Sequence, residues 1–171
     1  GHDWVFGYRA RGTVALLRLM GVTVHAVEAV EVDGAAARST GVREALSNGD
    51  LPRAARLLGR PSTVLGTVAS GRQLGRTIGF PTANLALENE QLPPNGVYAV
   101  RAMLDGRFLA GVANLGLRPS VESEVPQRRL EVHLFDFDED IYGREMEVEW
   151  VEFLRPEQAF SSLEALTAQI A

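Results

Sequence analysis

The stretch "GVYAVRAMLDGRFLAGVANLG" (96–116) decides the fold class of this chain. Apolar residues alternate with other residues on both sides of an Asp-Gly pair, and a period of two is typical of a half-buried strand. Asp105-Gly106 between two alternating runs is a strong signal for a tight hairpin turn. We therefore predict an antiparallel hairpin and, with it, a β-rich fold.

The pattern continues through the rest of the chain after residue 60. "TVLGTVAS" (63–70) is predicted to be a strand, and "RRLEVHLFDF" (128–137) and "REMEVEWVEFL" (144–154) alternate as two more. The inward faces of the last two would carry Leu130, Val132, Leu134, Met146, Val148 and Trp150. After Pro156, a helical stripe predicts a terminal helix, and its members are Phe160, Leu163, Leu166 and Ile170. For residues 61–171 we predict a mainly β fold: a small antiparallel, Greek-key-like β-barrel with a C-terminal helix.

The first sixty residues have an α/β pattern instead. We predict a helix over 13–20, a strand over 22–32, and helices within "STGVREALSNG" (39–49) and "DLPRAARLLG" (50–59). In the last of these, Asp50 is suited to cap the N-terminus and Gly59 to end the helix. The pattern changes at Gly59-Arg60-Pro61, so we predict two domains, residues 1–60 and 61–171.

Composition narrows the classes of function. The chain has 171 residues, of which 46% are hydrophobic, and a net charge of −5, which argues against general nucleic-acid binding. It lacks the ~20-residue apolar run of a membrane helix, and it lacks cysteine, which excludes disulfides and thiolate zinc sites. We expect a cytoplasmic protein. All 17 basic residues are arginine, so a phosphate must be held by arginine, backbone N–H groups, hydroxyls or a metal.

A candidate phosphate site lies in "GRQLGRTIGFPTANL" (71–85). Gly71, Gly75 and Gly79 recur at regular spacing, and Arg72 and Arg76 lie between them. Glycines let backbone N–H groups approach an anion closely, and the arginines add positive charge. The segment is neither a Walker A loop nor a dinucleotide-binding G-x-G-x-x-G motif.

Thr82 and Asn84 follow this loop two residues apart. In an extended segment their side chains point the same way, so a hydroxyl and an amide oxygen converge. Hard oxygen ligands of this kind suit Mg²⁺, which keeps waters and shares the phosphates of a nucleotide. The alternative is a glycine-rich turn in which Thr82 and Asn84 cap the local backbone, and the residues alone leave both readings open.

Three further places carry candidate chemistry. Glu131 lies in the middle of an otherwise apolar predicted strand, and it is either a general base or a solvent-facing carboxylate. His133 is predicted on the same face of that strand, as a structural or exposed residue. "GVANLGLRPS" (111–120), with Asn114 and Arg118, is either a ligand-facing loop or the end of a strand. A calcium loop is mimicked by Asp136, Asp138, Asp140 and Glu147. Because Ile141 replaces the required glycine, we predict an acidic hairpin tip there.

Four ordered blocks of residues 61–171 resemble the riboflavin kinase module of the bacterial bifunctional riboflavin kinase/FAD synthetase family. They are "GRQLGRTIGFPTANL", "LPPNGVYAV", "GVANLGLRPS" and "RLEVHLFDFDEDIYGREMEVEWVEFLRPEQAFSSLEAL". The resemblance implies a compact β-barrel that transfers the γ-phosphate of ATP to the ribityl 5′-hydroxyl of riboflavin, giving FMN and ADP with Mg²⁺. Ser120 is a mild departure, since the family usually has Thr there.

The resemblance also implies roles for individual residues. Thr82 and Asn84 would bind Mg²⁺ and phosphate oxygens, and the loop from Gly71 to Gly79 would cover the nucleotide. Glu131 would accept the ribityl proton. Flavin-side positions would be Asn114, Arg118 and, in "FLRPEQAF" (153–160), Arg155.

Residues 1–60 resemble the second half of the family's Rossmann-like adenylyltransferase domain, through "GHDWVFGYRARGT" and "RSTGVREAL". We expect a truncated remnant that no longer converts FMN to FAD and that could associate with itself. Two alternatives to a kinase stay open: a non-catalytic flavin- or nucleotide-binding barrel, and an inert structural fragment of a larger enzyme. Retention of Thr82, Asn84 and Glu131 together favours the kinase.

Overall fold

The computed structural model describes residues 4–69, 80–87, 91–118 and 127–158. The chain divides into two compact units, Gly1–Ser39 and Thr40–Ala171. Within the described ranges, no helix is both long enough and apolar enough to cross a membrane.

From residue 4 onward, the first unit contains two short hairpins, a 3-10 helix (Tyr8–Ala10) and one α-helix. β1 (Val5–Phe6) pairs with β2 (Gly12–Thr13), α1 covers Val14–Leu19, and β3 (Glu31–Val32) pairs with β4 (Ala35–Ala36). The helix predicted over 13–20 is confirmed, and the Oγ1 of Thr13 caps it by accepting the N–H of Leu16 at 3.2 Å.

The strand predicted over 22–32 is wrong for most of its length, because only Glu31–Val32 forms a paired strand there. Val27 is 71% exposed and Val30 is 65% exposed. The alternating valines are therefore not buried against a packed face. A strand with neither a pairing partner nor a packed face is not stable.

The two helices predicted next are confirmed as α2 (Ser39–Ser47) and α3 (Leu51–Leu58). Asp50 caps α3 by accepting the N–H of Arg53 at 3.0 Å, and Gly59 ends it in the left-handed conformation at φ 72°. Both helices place apolar side chains in the core of the second unit, namely Ala45, Leu46, Leu51 and Ala54.

Six strands close into an antiparallel barrel, which confirms the predicted fold class. They are β5 (Thr63–Ala69), β6 (Ala83–Leu87), β7 (Gly96–Leu104), β8 (Arg107–Arg118), β9 (Gln127–Leu134) and β10 (Glu145–Arg155). Their order around the barrel is β10-β5-β6-β9-β8-β7, and β7 pairs with β10 to complete the closure. Since β6 pairs with β9 rather than with β7, residues distant in sequence meet on adjacent strands. The predicted terminal helix lies mainly outside the described residues.

The β7–β8 hairpin turns where it was predicted. Asp105 has φ 48° and Gly106 has φ 76°, so both residues of the turn are left-handed. This is the geometry of a two-residue turn whose twist matches that of the strands it joins.

The barrel interior is filled with side chains. All six inward residues predicted for β9 and β10 are buried. The ring of Tyr98 is fully buried, with its centroid 4.9 Å from that of Trp150, and its hydroxyl donates to the Pro94 carbonyl at 2.6 Å. Because the centre is packed, a ligand site must lie on the outer face or at an end of the barrel.

Candidate functional site

The strand register brings three predicted site residues side by side. Asn84 in β6 lies opposite Glu131 in β9, and Glu131 lies opposite Asn114 in β8. Directly opposed residues project to the same face of a sheet, with Cβ atoms about 4.5–5.5 Å apart. We call Asn84, Glu131 and Asn114 the polar row.

The polar row faces away from the core. Its immediate neighbours along the three strands are buried, and they are Ala83, Leu85, Leu130, Val132, Ala113 and Leu115. Side chains alternate between faces along a strand, so the row projects from the outer surface. Its three members are half-buried, which leaves them open to a substrate while neighbouring side chains restrict their motion.

The same level of the barrel also carries a predicted flavin-side residue. Asn114 lies opposite Val97 in β7, and Val97 lies opposite Arg155 at the end of β10. Arg155 therefore lies two strands beyond Asn114, on the side away from Asn84. The structure describes only the backbone of Arg118, which ends β8 opposite Gln127.

Thr82 lies just before β6, and the residue before it, Pro81, is contacted by a histidine side chain. Because Ala83 pairs with Val132, the next position along β9 is His133. Its Nδ1 lies 2.8 Å from the carbonyl oxygen of Pro81. The start of β6 is thus tied to β9 through a side chain as well as through the strand ladder.

A cavity of about 120 Å³ opens beside Thr82 at one end of the barrel. Its walls are apolar residues of the strands together with the loop 137–142, and they include Val68, Ala83, Val132 and Leu134. Thr82 lines this cavity and lies two residues from the polar row. Thr82 therefore lies both in the wall of this cavity and two residues before Asn84 in the chain.

The acidic residues around this loop have local partners. Glu139 pairs with Arg107 at 2.8 Å, and Asp140 accepts the N–H of Tyr142 at 3.1 Å. Across the described part of the chain, no cluster of three or more His, Cys, Asp or Glu residues is arranged to hold a metal ion. A metal ion bound by the described residues would therefore need other ligands, such as hydroxyl or amide oxygens, in its coordination shell.

Thr82 and Asn84 fit a magnesium ion that is shared with a nucleotide. Their hydroxyl and amide groups offer two neutral oxygen ligands two residues apart in the chain, and the carboxylate of Glu131 lies beside Asn84 on the polar row. Mg²⁺ is commonly held by few protein ligands, with phosphates and waters completing its shell. A site with two protein oxygen ligands matches this mode of Mg²⁺ binding better than a site in which the protein supplies every ligand.

Two residues of the site were missed from the sequence. Glu157, which follows β10, accepts a hydrogen bond from the Nδ2 of Asn114 at 3.3 Å, and its carboxylate lies against Gly116. The segment after β10 therefore lies against β8 near Asn114 and Gly116. The pairing of 114 with 157 is long-range, so nothing local in the sequence indicated it.

Arg128 is the second missed residue. It donates through Nε to the Oδ1 of Asn95 at 2.9 Å and through a terminal nitrogen to the Pro93 carbonyl. Burial lowers the pKa of Arg128, and the nearby Tyr98 and Glu157 partly offset this effect. Its place two residues before the inward Leu130 could have indicated an inward arginine.

The glycine-rich loop predicted to hold phosphate lies outside the described residues. This applies to Gly71, Arg72, Gly75, Arg76 and Gly79. Their role stays a prediction.

Comparison with known proteins identifies the family of this barrel. The family model for riboflavin kinase (Flavokinase) matches residues 58–171. The chain is 44% identical over 174 residues to a bifunctional riboflavin kinase/FMN adenylyltransferase of Pseudomonas fluorescens, covering 99% of this chain and 56% of that protein. It is 38% identical over 177 residues to a protein of the same name from Bacillus subtilis, covering 99% of this chain and 55% of that one.

Among solved structures, a crystal structure described as a macrolide-efflux protein from Streptococcus pneumoniae has 34% identity and a TM-score of 0.82. The match covers 99% of this chain and 56% of that one. Like the match to this structure, the matches to the two bifunctional enzymes cover only part of the relative, so this chain spans about half the length of the curated relatives it matches. Because the family model covers more than half of the chain, this chain belongs to the riboflavin kinase family.

Proposed function

We propose that this chain phosphorylates riboflavin, transferring the γ-phosphoryl group of ATP to the ribityl 5′-hydroxyl. The observation that carries the proposal is the polar row, in which a carboxylate lies between two amides on three adjacent strands. Family membership supplies the substrates. We propose an order along the barrel surface: a nucleotide side at Thr82 and Asn84, a base at Glu131, and a flavin side at Asn114 and Arg155.

Glu131 is proposed as the general base. It projects outward from the middle of β9, where a hydroxyl arriving from solvent can reach it. As the new oxygen–phosphorus bond forms, the bond between the γ-phosphorus and the bridging oxygen of ATP breaks. The hydroxyl proton passes to the carboxylate, and the products are FMN and ADP.

Thr82 and Asn84 are proposed to hold Mg²⁺. When bound, the ion neutralises charge on the phosphate oxygens. Since both ligands are uncharged, they do not compete with the phosphates for that positive charge. The cavity beside Thr82 is proposed to receive part of the nucleotide, because Thr82, one of the two proposed metal ligands, lies in its wall.

The sequence contains no lysine, which places a further demand on this site. Phosphoryl transfer depends mainly on positioning and on neutralising charge. A metal, arginine side chains and backbone N–H groups can supply both, so we propose that Arg72, Arg76 and the glycines of their loop complete the phosphate site.

Chromatography of the flavins after incubation with riboflavin, ATP and Mg²⁺ tests the proposal. We expect riboflavin to be converted to FMN. FAD formed in addition would show that the chain also adenylylates FMN, and it would leave the kinase proposal intact. Riboflavin that binds but stays unphosphorylated would refute the kinase and favour a flavin-binding barrel.

A further inference from the structure

We propose that His133 is a positioning residue for Thr82, acting through the carbonyl group of Pro81. The proposal rests on the proposed function only for the identity of the ligand that Thr82 binds. Its basis is the 2.8 Å contact between the Nδ1 of His133 and the Pro81 oxygen. A carbonyl oxygen can only accept, so Nδ1 carries the proton in this contact.

The backbone of Pro81 makes this single hydrogen bond unusually restrictive. The proline ring already fixes φ near −65°, and the peptide bond that joins Pro81 to Thr82 is planar. The remaining soft dihedral is ψ of Pro81, which sets the direction of its carbonyl. By holding that carbonyl, His133 fixes the plane of the peptide that leads into Thr82 and thus the position of the Thr82 Cα atom, from which the hydroxyl-bearing side chain extends.

Hydrogen bonds between paired strands do not fix the carbonyl group of Pro81. β6 begins at Ala83, so Pro81 and Thr82 lie before the first paired residue. Proline also has no N–H with which to anchor itself. In the described residues, the imidazole of His133 is the partner that the structure shows for this carbonyl.

The imidazole is itself held in place by two aromatic rings. The His133 ring lies edge-to-face with Phe80, at 5.6 Å between centroids, and with Phe135, at 5.7 Å. Such arrangements favour one ring orientation. A fixed ring on the same strand and face as Glu131 therefore ties the proposed metal ligand to the strand that carries the proposed base.

Two substitutions at one position separate the hydrogen bond from packing. His133→Phe keeps an aromatic ring between its neighbours but removes the donor. His133→Asn loses the ring but keeps an N–H donor at the same number of bonds from Cβ as Nδ1. Phe135→Leu is the matched control, because it removes one aromatic neighbour and leaves the donor.

The measurement is the dissociation constant of Mg²⁺-ADP by titration calorimetry, alongside FMN formation and the melting temperature of each variant. We expect His133→Phe to weaken Mg²⁺-ADP binding by about 3- to 10-fold, the factor that one hydrogen bond contributes. His133→Asn should bind within about 2-fold of the wild type, although it loses more packing. A purely structural role predicts the reverse order of the two variants.

The outcomes distinguish this inference from the proposed function. Binding by His133→Phe equal to the wild type, or equal losses in both variants, would overturn the positioning role. A wild type that binds Mg²⁺-ADP but makes no FMN would overturn the proposed function, while the ratio of affinities would still decide the role of His133. A wild type that does not bind Mg²⁺-ADP would overturn both.

Discussion

Replacing Gly111 with alanine tests whether the spacing between β8 and β9 holds the polar row. The Cβ atom of an alanine at position 111 would overlap the carbonyl oxygen of His133 and lie 3.2 Å from its carbonyl carbon. It would also lie 3.3 Å from the Cα of Leu134. All three atoms belong to the backbone of β9, which cannot swing aside as a side chain can. The strand that carries Glu131 must therefore move.

The size of the effect follows from this geometry. Carbon–oxygen contacts between strands are normally about 3.3–3.6 Å, so β9 must shift by on the order of 1 Å. Overpacking of this kind costs about 1–3 kcal/mol, and we expect the upper part of that range because the obstacle is backbone. The melting temperature should then fall by roughly 4–12 °C. Turnover should fall by up to about 10²-fold, since a displacement of 1 Å at a reacting group has such effects.

Gly116→Ala is the matched control on the same strand. The three atoms nearest to an alanine Cβ there all belong to the carboxylate end of Glu157, with the Cδ atom at 2.5 Å. Glu157 is exposed and flexible enough to turn away, so the free energy of unfolding should change by less than about 0.5 kcal/mol. Urea unfolding followed by circular dichroism compares the two variants. If Gly111→Ala is as stable as Gly116→Ala, the strand spacing does not constrain the row and the reasoning is wrong.

Two further predictions concern the proposed metal ligand Asn84 and the core residue Tyr98. Asn84→Ala should raise the Mg²⁺ concentration needed for half-maximal FMN formation by about 10-fold or more, since even groups that only support metal ligands contribute that much. Asn114→Ala, on the other side of Glu131, should leave this Mg²⁺ titration unchanged. An equal shift in both variants would contradict the assignment of Asn84 to the metal side. Burial raises the pKa of Tyr98, so the unfolded chain releases the phenolic proton first and stability falls as pH rises above the ordinary value of about 10. Tyr98→Phe should flatten that fall in the urea midpoint between roughly pH 9.5 and 11, and an unchanged slope would refute it.

Local chemistry made much of the fold predictable. The Asp105-Gly106 turn requires two left-handed residues, and the sequence provides two that tolerate this conformation. The caps of α3 are equally local. The alternation in β9 and β10 assigned inward residues correctly because the barrel has one packed side. The same valine-rich alternation failed over 22–32, where no sheet face was available to bury it.

The candidate site was less predictable because its residues meet through non-local pairing. The spacing of Thr82 and Asn84 indicated a shared face, but only the pairing of β6 with β9 places Glu131 beside Asn84. That register depends on closure of the whole barrel rather than on any one segment. Glu157 was missed for the same reason, since its contact with Asn114 joins segments 43 residues apart.

The role of Glu131 is the central claim, and a comparison of two carboxylates tests it most directly. Glu131→Gln keeps the size and the hydrogen-bonding capacity of the side chain but removes the base. Glu145→Gln makes the same change at an exposed position at the start of β10. The measurement is the rate at which the labelled γ-phosphate of ATP appears in FMN. If Glu131 is the base, kcat should be about 10²–10⁴ lower for Glu131→Gln, and Glu145→Gln should keep the wild-type rate. A wild-type rate for Glu131→Gln would contradict it.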